Sequence, residues 1–327
     1  MEIATTYHVY FPKPLTRQQL KITRKSNFNR RRASAELEKR AGVIWERRVL
    51  ENPHLFNGTK FRFAGLSVTS GEVVTRQERK LSLVLDEQAS LCEVELRTGF
   101  SNYKEYTITN MSTLAEEFRK QGMEKYSDPQ ACMADIIGHS ALLITADNFA
   151  VLQLRSQTVG EGVGLWHFPG GHPEPEELGI SCCEDFAETE PAKIVDEIYD
   201  SLLREMKEEL NLSEEDLNEP VLIAIGKDKE SYYKPEFNFL LHTHLTAQQV
   251  SERYFAEDFS DIESDDIGFL DVGQLDPAGK QCVSLFKFKS DEPEISSVNI
   301  EQITISSLQL MENLQTAISY NPKLLSV

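Results

Sequence analysis

The segment from Pro191 to Leu212 constrains this chain most, because its apolar residues recur with the period of an α-helix. Four of them share one face of that helix, which a folded protein buries: Leu202, Leu203, Met206 and Leu210. Three carboxylates stand at positions i, i+3 and i+4 on a different face: Glu205, Glu208 and Glu209. Such a cluster of like charges is either an ordinary solvated surface or a site that holds a cation.

The segment before this helix contains an aromatic strand end that runs into a Pro-Gly-Gly turn. Trp166 and Phe168 are followed by Pro169, Gly170 and Gly171, where the backbone can approach a ligand without obstruction by a side chain. A turn of this kind near clustered glutamates offers carbonyl and carboxylate oxygens, the hard ligands that Mg²⁺ prefers. Magnesium keeps coordination positions for phosphate oxygens, so it would let an acidic protein bind an anionic diphosphate.

The charge of the chain argues against partners that are polyanions. Among 327 residues there are 34 Lys and Arg and 53 Asp and Glu, a formal net charge of −19. The average surface therefore repels nucleic acid and anionic membrane. Residues 13–48 are the exception, with twelve basic and three acidic residues. We interpret this stretch as solvated surface rather than a nuclear address or a nucleic-acid patch, because Phe28 and Trp45 are its only rings for base stacking.

The cysteines and the apolar runs indicate where the protein works. Five cysteines without metal-type CxxC spacing are typical of reduced thiols, so we expect no disulfide framework and no zinc. The first residues lack the pattern of a signal peptide, and no run approaches the ~18 apolar residues of a membrane helix. We therefore expect a cytoplasmic protein with no membrane partner, and a nuclear location is the alternative.

Local patterns divide the chain into a small α+β domain over 1–135 and a second domain over 136–327. The patterns predict helices at 35–50, 113–121, 191–212, 246–254 and 306–320. They predict strands at 60–68, 80–84, 91–96, 141–145, 149–154, 221–226 and 237–244. A polar turn at 146–148 predicts a hairpin between two of these strands. The acidic stretch 257–271 has little periodicity and predicts a solvated loop, with a metal-binding role as the less favoured alternative.

The glycine turn and the glutamate helix together resemble the signature of the Nudix hydrolases. Gly171 and Glu177 match its first spacing, and its second half is matched by Arg204, Glu205, Met206, Glu208, Glu209 and Leu212. Asn211 stands where the signature has Gly, and Asn is the next best residue for a left-handed helix cap. Between Glu177 and Arg204 there are 26 residues instead of seven, so Glu197 is an alternative partner for the arginine.

The interrupted motif resembles the UDP-glucose pyrophosphatase branch of that family. The likeness extends to VIWERRVLENPHLFNGTKFRF, TGFSNYKEYTITN and FPGGHPEPEE and covers roughly residues 40–320. It implies an α/β fold, the Nudix α/β/α sandwich with a mixed sheet, preceded by a smaller α+β domain. It also implies hydrolysis of a small nucleotide sugar, UDP-glucose or UDP-galactose, to UMP and hexose 1-phosphate with Mg²⁺ or Mn²⁺. The alternatives are another substrate (ADP-ribose, coenzyme A or capped RNA) or a non-catalytic nucleotide-binding module. Capped RNA is disfavoured by the acidity of the chain.

The resemblance also assigns roles to individual residues of the reacting centre. Glu205 and Glu209 are the expected metal ligands. Glu208 is expected to bind a second ion or to take a proton from water, and Arg204 to orient the glutamates by ion pairing. Glu236, after the motif, is a further candidate ligand for a metal or water.

Other residues are expected at the substrate. Phe56 and Tyr103 are expected to stack on uracil, although core packing is a rival role for Phe56. Arg155 is expected to grip the diphosphate, and Gly160 to allow close approach of its loop. The remaining candidates for the sugar or the phosphates flank the Pro-Gly-Gly turn: His167, His172 and Glu174.

Overall fold

The structure is a computed structural model that describes residues 2–3, 8–53, 55–68, 72–77, 80–84, 94–157, 162–228, 231–257, 259–260, 263–274, 280–289 and 293–320. Its helices are α1 (Ala35–Glu51), α2 (Tyr103–Ile108), α3 (Ala115–Tyr126), α4 (Cys183–Glu188), α5 (Pro191–Leu210), α6 (Ala247–Tyr254) and α7 (Ile305–Tyr320). Its strands are β1 (Glu2–Ile3), β2 (His8–Leu15), β3 (Leu20–Arg24), β4 (Thr59–Val68), β5 (Glu72–Gln77), β6 (Lys80–Val84), β7 (Val94–Asn102), β8 (Gly138–Ile144), β9 (Phe149–Arg155), β10 (Trp166–His167), β11 (Val221–Asp228), β12 (Lys234–His242), β13 (Ser264–Asp271), β14 (Cys282–Lys287) and β15 (Glu294–Asn299).

The larger of two sheets is mixed. Its strand order is β15-β14-β13-β9-β8-β12-β11-β2-β6-β5, and β10 is added to β9. Strand β8 runs parallel to β12 and β2 runs parallel to β6, whereas the other neighbours along the order are antiparallel. The predicted hairpin of β8 and β9 is confirmed, with Asn148 at φ 63° in its turn.

Helices cover both faces of this sheet. Leu143 and Leu241 belong to the cluster that α5 completes through Met206 and Leu210, whereas Leu142 and Leu240 belong to the cluster that α7 completes. Successive residues of a strand point to opposite faces, so α5 and α7 lie on opposite sides of the sheet. This arrangement confirms the expected α/β/α layering.

The smaller sheet has the order β1-β4-β7-β3 and meets the larger one at the start of β8. The amide of Ile137 donates to the carbonyl of Phe61 at 2.9 Å, and the amide of Phe63 donates to the carbonyl of Asp135 at 2.9 Å. Strand β4 is therefore joined by backbone hydrogen bonds to residues 135–137, which lead into β8.

Strand β2 lies in the larger sheet although it comes from the N-terminal part of the chain. It pairs with β11 through Leu15 opposite Leu222 and Tyr10 opposite Ala224. One apolar cluster also contains side chains from both sides of position 135. The division into 1–135 and 136–327 stays a prediction, and the two parts share a sheet and a core.

Helix α5 has the sharpest boundaries among the predicted elements. Pro191 occupies its first turn, and Asn211 ends it in the left-handed conformation at φ 57°. The amide of Asn211 donates to the carbonyl of Lys207, and the amide of Leu212 donates to the carbonyl of Met206. The expected Asn cap is confirmed, because these bonds satisfy carbonyls that a helix end leaves open.

Other predicted boundaries differ from the structure. The helix predicted at 113–121 continues through Gly122 to Tyr126, because this glycine makes room for the carbonyl of Asp128 rather than stopping the helix. The loop predicted over 257–271 is wrong for 264–271, where β13 forms. The strand predicted at 91–96 falls partly outside the described residues, and β7 covers its remainder.

Most helices and strands appear where the local patterns predict them, and the strands with no prediction are mostly at sheet edges or near the N-terminus. No prediction covered β2, β3, β5, β14 or β15. None of the helices in the described ranges combines the length and hydropathy needed to cross a bilayer.

Candidate active site

The Pro-Gly-Gly turn lies along strand β8 like a short added strand. The amide of Ala141 donates to the carbonyl of Pro169 at 2.8 Å, and the amide of His139 donates to the carbonyl of Gly171 at 2.9 Å. A Cβ at Gly170 would collide with the carbonyl of His139. The missing side chain therefore lets the turn approach β8 closely, which fixes its position over α5.

Helix α5 presents two of its glutamates to this turn. A Cβ at Gly171 would collide with Oε1 of Glu205, so the carboxylate lies directly against the glycine backbone. Glu209 is buried, and its Oε2 accepts a hydrogen bond from the amide of Gly170 at 3.2 Å. The structure thus brings together the two residues predicted as metal ligands and the turn predicted beside them.

Like charges face one another around Glu205. Burial, together with the neighbouring carboxylates of Glu263, Glu208 and Glu174, raises the pKa of Glu205 to about 7. Glu208 is exposed at the rim, and Glu263 immediately precedes β13. Within the described ranges, no three His, Cys, Asp or Glu side chains form a preformed metal cage. The arrangement is a concentration of negative charge beside an open backbone turn.

Arg204 pairs with Glu197 rather than touching the turn. Its Nη2 donates to Oε1 of Glu197 at 2.6 Å, and the amide of Glu174 donates to the same oxygen at 2.8 Å. Glu197 is buried, whereas Glu177 is exposed. The structure therefore supports the alternative in which Glu197, inside α5, is the partner of the arginine and anchors the segment that follows the turn.

Glu174 connects the site to the smaller sheet. Its Oε1 accepts from Nζ of Lys60 on β4 at 2.9 Å, while its backbone amide is held by Glu197. Lys60 is buried and the Glu174 side chain is about half exposed. This predicted substrate residue thus lies where β4, the turn and α5 meet.

His139 is a residue of this site that sequence reasoning missed. Its Nδ1 accepts from the amide of Gly171 at 3.1 Å, and its Nε2 lies 2.9 Å from Oγ of Ser201 on α5. Burial lowers the pKa of His139 to about 3, so the ring is neutral. The Nε2–H tautomer then donates to Ser201, and the ring clamps the glycine turn onto α5.

A cavity of about 660 Å³ lies beside the turn, and we call it the catalytic cavity. Three residues predicted to contact substrate line it: Arg155, His167 and His172. Its other charged or aromatic lining residues are Arg48, Tyr106, His139, Phe168, Asp228, Tyr232, Lys234, Glu236 and Glu301, and its lining does not include Glu205, Glu208 or Glu209. Both parts of the chain therefore contribute to it. Its size is typical of a pocket for a small organic ligand.

Two histidines in the wall of the catalytic cavity have unsatisfied ring nitrogens. In the described part of the chain, the buried Nε2 atoms of His167 and His172 find no hydrogen-bond partner. Burial lowers the pKa of His167 to about 3 and that of His172 well below its usual value, so both rings are neutral. A buried polar atom without a partner costs about 1–3 kcal/mol, which a ligand hydroxyl or phosphate oxygen would recover.

Glu236 lies in the same wall and is already well paired. Its carboxylate accepts from Oγ of Ser140 at 2.7 Å and from Nζ of Lys234 at 2.9 Å. The neighbouring charge of Glu236 raises the pKa of Lys234 although burial acts in the opposite direction. These contacts fix the lysine in the cavity wall as a cation.

Neither of the two aromatic residues predicted at the nucleotide is in the wall of this cavity. Phe56 is 70% exposed, so it is not a core residue. The amide of Tyr103 donates to the carbonyl of Gly58 at 2.9 Å, and the Tyr103 ring packs on Tyr106, which does line the cavity, with 6.1 Å between ring centroids. Their contact with a nucleotide stays a prediction. Gly160 lies outside the described residues.

Comparison with known proteins places the chain in a family. No family model matches it. It is 33% identical to uridine diphosphate glucose pyrophosphatase NUDT22 of Homo sapiens over 263 residues, 77% of this chain and 82% of that protein. The protein of the same name from Mus musculus is 30% identical over 76% and 79% of the two chains, and Nudix hydrolase 9 of Arabidopsis thaliana is 29% identical over 67% of each.

Among solved structures, the MutT protein from Methanosarcina mazei Go1 aligns with 55% of this chain and 93% of its own, at 14% identity and a TM-score of 0.32. The sequence relationship is much stronger than this structural one, since it extends at one-third identity over three quarters of the chain. On that relationship, the chain belongs to the Nudix hydrolase family.

Proposed function

We propose that this protein hydrolyses the diphosphate bond of UDP-glucose or UDP-galactose and releases UMP and hexose 1-phosphate. The names of the human and mouse relatives support this substrate. The observation that carries the reaction is the position of Glu205, a largely buried carboxylate that faces three other carboxylates beside the Pro-Gly-Gly turn. A protein gains nothing in stability from such repulsion, so we attribute it to the chemistry.

Enzymes of this family generally use divalent metal ions, and the residues present fit Mg²⁺. Glu205 and Glu209 would hold the ion, because they are one helical turn apart, both reach the glycine turn and supply hard oxygen ligands. Mn²⁺ accepts the same oxygen donors and is the alternative. When bound, the ion neutralises charge on phosphoryl oxygens and activates water as a nucleophile.

The other residues of the site bind substrate and move a proton. Arg155 and Lys234 provide positive charge in the cavity wall for the diphosphate oxygens. Glu208, which is exposed, is proposed to take a proton from the attacking water or to bind a second ion. Arg204 does not contact the substrate itself. It pairs with Glu197, which also accepts from the amide of Glu174 and so holds the segment after the turn against α5.

The neutral histidines account for recognition of a sugar. Nε2 of His167 and of His172 can each make one hydrogen bond with a hydroxyl or a phosphate oxygen of a ligand. Glu174 can accept from a sugar hydroxyl, since about half of its side chain remains exposed. The two neutral histidines and Glu174 can hydrogen-bond to the hydroxyls of a hexose. The cations Arg155 and Lys234 can bind the diphosphate to which the hexose is attached.

Phe56 and Tyr103 are proposed to hold the uracil. An exposed ring of this size has no packing role, and stacking of a base on it contributes about 1–3 kcal/mol. Phe56→Ala should therefore raise KM for UDP-glucose about fivefold or more while the melting temperature is unchanged. An unaltered KM would remove Phe56 from the site.

The described cysteines support a cytoplasmic location. Cys132, Cys182, Cys183 and Cys282 are free thiols in the structure, which is the state that a reducing compartment maintains.

A hydrolysis panel with Mg²⁺ tests the proposed reaction. UDP-glucose, UDP-galactose, ADP-ribose, coenzyme A and capped RNA are incubated with the protein, and the products are identified by mass. We expect UMP and hexose 1-phosphate from the UDP-sugars and slower or no turnover of the others. Faster turnover of another compound would make that compound the substrate in place of the UDP-sugars. Binding without turnover would show that the protein is a nucleotide-binding module.

Glu209→Gln tests the assignment of the metal ligand. We expect a loss of orders of magnitude in kcat with little change in the melting temperature, because the two side chains have the same shape. Glu214→Gln is the matched control, since Glu214 is an exposed glutamate just beyond α5 and should keep full activity. A fully active Glu209→Gln enzyme would defeat the assignment.

A further inference from the structure

A second cavity, of about 480 Å³, shares no lining residue with the catalytic cavity. Three arginines line it, Arg31, Arg62 and Arg97, and we call it the arginine cavity. They come from the segment before α1, from β4 and from β7. In a chain of net charge −19, this concentration of guanidinium groups differs from the average surface.

Arg62 forms a rigid floor of the arginine cavity. Its Nε donates to the carbonyl of Met133 at 3.0 Å, its Nη1 to that of Phe28 at 2.7 Å and its Nη2 to that of Gln130 at 2.8 Å. Burial lowers the pKa of Arg62, and the charges of Asp135 and Asp128 offset only part of this effect. The guanidinium is thus held in place at a desolvation cost that an additional anion would reduce.

Arg31 differs from neighbouring arginines of the basic segment 13–48. Several of those are used in ion pairs of 2.5–2.8 Å: Arg17 with Asp200 and Glu219, Arg30 with Glu38, Arg32 with Glu105, and Arg40 with Glu117. Arg31 is exposed, and no ion pair links its side chain to the described residues. The basic residues therefore do not form an open track for a polyanion, and Arg31 remains at the rim of the cavity.

Arg97 is placed by a glycine on the neighbouring strand. Gly65 has φ +114°, and a Cβ there would collide with Nη2 of Arg97. The guanidinium consequently lies against the backbone of β4, on the side where Arg62 also emerges into the cavity. Two strands of the smaller sheet thus present arginines to one space.

The remaining walls combine neutral hydrogen-bonding groups with two aromatic rings. They include Asn27, Asn29, Ser127, Phe28 and Tyr126, and Asp128 is the acidic residue of the lining. The lining contains three guanidinium groups and one carboxylate, and Asp135 lies 3.8 Å from Arg62 behind it. Guanidinium groups match phosphate oxygens with paired hydrogen bonds, which a halide cannot form. We propose that the arginine cavity binds a small phosphate-bearing anion, at a site separate from the catalytic cavity.

Calorimetric titration of the full chain without divalent ions tests this proposal. Inorganic phosphate and UMP are the probes. We expect phosphate to bind at millimolar concentration or tighter, and Arg31→Gln to weaken it about tenfold, the loss of one charge-assisted hydrogen bond. Arg31 is exposed, so this variant should fold normally. Arg31→Gln/Arg97→Gln should abolish measurable binding.

Two matched arginines separate this site from other sources of binding. Arg47→Gln removes an exposed arginine of α1 that pairs with Glu51, and Arg155→Gln removes one from the catalytic cavity. Both should bind phosphate as the unaltered protein does. The proposal is overturned if phosphate does not bind, if Arg31→Gln binds it with unaltered affinity, or if Arg155→Gln alone abolishes binding.

The UMP probe shows whether the arginine cavity binds the phosphate group of a nucleotide or free phosphate. Tighter binding of UMP than of phosphate, with the gain lost in Phe28→Ala, identifies a nucleotide whose base contacts the aromatic wall. Equal affinities identify free phosphate as the ligand. In either case Arg31→Gln must weaken binding, because the phosphate group is what the cavity recognises.

Discussion

Two charged clusters of this protein treat buried charge in opposite ways. At the catalytic turn, Glu205 faces Glu263, Glu208 and Glu174, so carboxylate meets carboxylate. Where the two sheets meet, buried Asp135 lies 3.8 Å from Arg62 and also feels the charge of buried Lys227. In the second cluster a carboxylate lies between charges of opposite sign, whereas the first cluster contains only carboxylates. A net buried charge indicates function more strongly than burial alone.

The charged groups of the junction also have hydrogen-bond and ring partners within the fold. Oδ1 of Asp135 accepts from Asn110 at 3.0 Å and from Gln130 at 2.9 Å, and Nζ of Lys227 lies 3.9 Å from the centroid of the Phe63 ring. Burial raises the pKa of Asp135 and lowers that of Lys227, while their mutual attraction opposes both shifts. This junction is a closed network, and its groups have partners within the fold.

The largest expected effect separates the clusters by activity. Glu205→Gln should lower kcat by about 10³-fold or more, because one of two proposed metal ligands is lost. Without divalent ions the same change should leave the melting temperature equal or raise it, since it removes repulsion among like charges. Steady-state rates and melting with and without Mg²⁺ check this. A variant that melts several degrees lower and remains active would contradict it.

The opposite outcome is expected at the junction. Asp135→Ala should lower the free energy of unfolding by about 3–5 kcal/mol, because it leaves the amides of Asn110 and Gln130 without their acceptor and Arg62 without its carboxyl neighbour. Urea unfolding measures the change, and Asp265→Ala, at an exposed position, is the control. If Asp135→Ala is as stable as the control, the junction does not stabilise the fold.

A pH series sharpens the comparison through the neutral histidines of the catalytic side. Burial holds the pKa of His139 and of His167 at about 3, below the unfolded value of 6.5. Their stabilising contribution is complete above pH 6.5 and is lost as the pH falls toward 3, by about 1.4 kcal/mol per unit for each ring. At pH 5 each should have lost about 2 kcal/mol.

The junction acts in the opposite sense over part of this range, because a carboxyl with a raised pKa, such as Asp135, favours the folded state as the pH falls. Urea unfolding of His167→Gln beside the unaltered protein isolates the histidine contribution. The difference between the two proteins should shrink between pH 7 and pH 5. A constant difference would show that His167 is not held neutral.

The smallest expected effect concerns support of the catalytic turn without a change of charge. Ser201→Ala removes the acceptor of His139 Nε2–H and should lower the free energy of unfolding by about 1 kcal/mol. Because His139 also holds the amide of Gly171, we expect kcat to fall less than tenfold and KM to change little. Unfolding curves and kinetics check both values. An unaltered stability would show that the clamp is not needed.

Local periodicity predicted the elements that carry the site. The face of α5, the left-handed Asn211 and the Pro-Gly-Gly turn follow from spacings of a few residues, which is the range over which helix and turn preferences act. Their convergence was expected through the family resemblance, and Glu205 beside Gly171 agrees with it. The sequence left Glu177 and Glu197 open as partners of Arg204, because an insertion removes the fixed spacing.

Contacts over long sequence separations were not predictable in the same way. The pairing of Leu15 with Leu222 joins residues about two hundred positions apart, and no local pattern records it. His139 lies in an apolar strand, where its hydrogen bond to Ser201 has no signature in the sequence. Glu263 was hidden in an acidic stretch of low periodicity, and its approach to Glu205 comes from the strand order.

The placement of β2 between β11 and β6 limits how the molecule can admit its substrate. Backbone hydrogen bonds between β2 and β11 join the early part of the chain to the later part. The two parts therefore cannot separate as rigid bodies connected by a flexible linker. Entry and exit must then depend on rearrangement of side chains and short connecting segments around a pocket of fixed width. A frame of this kind selects ligands by their size.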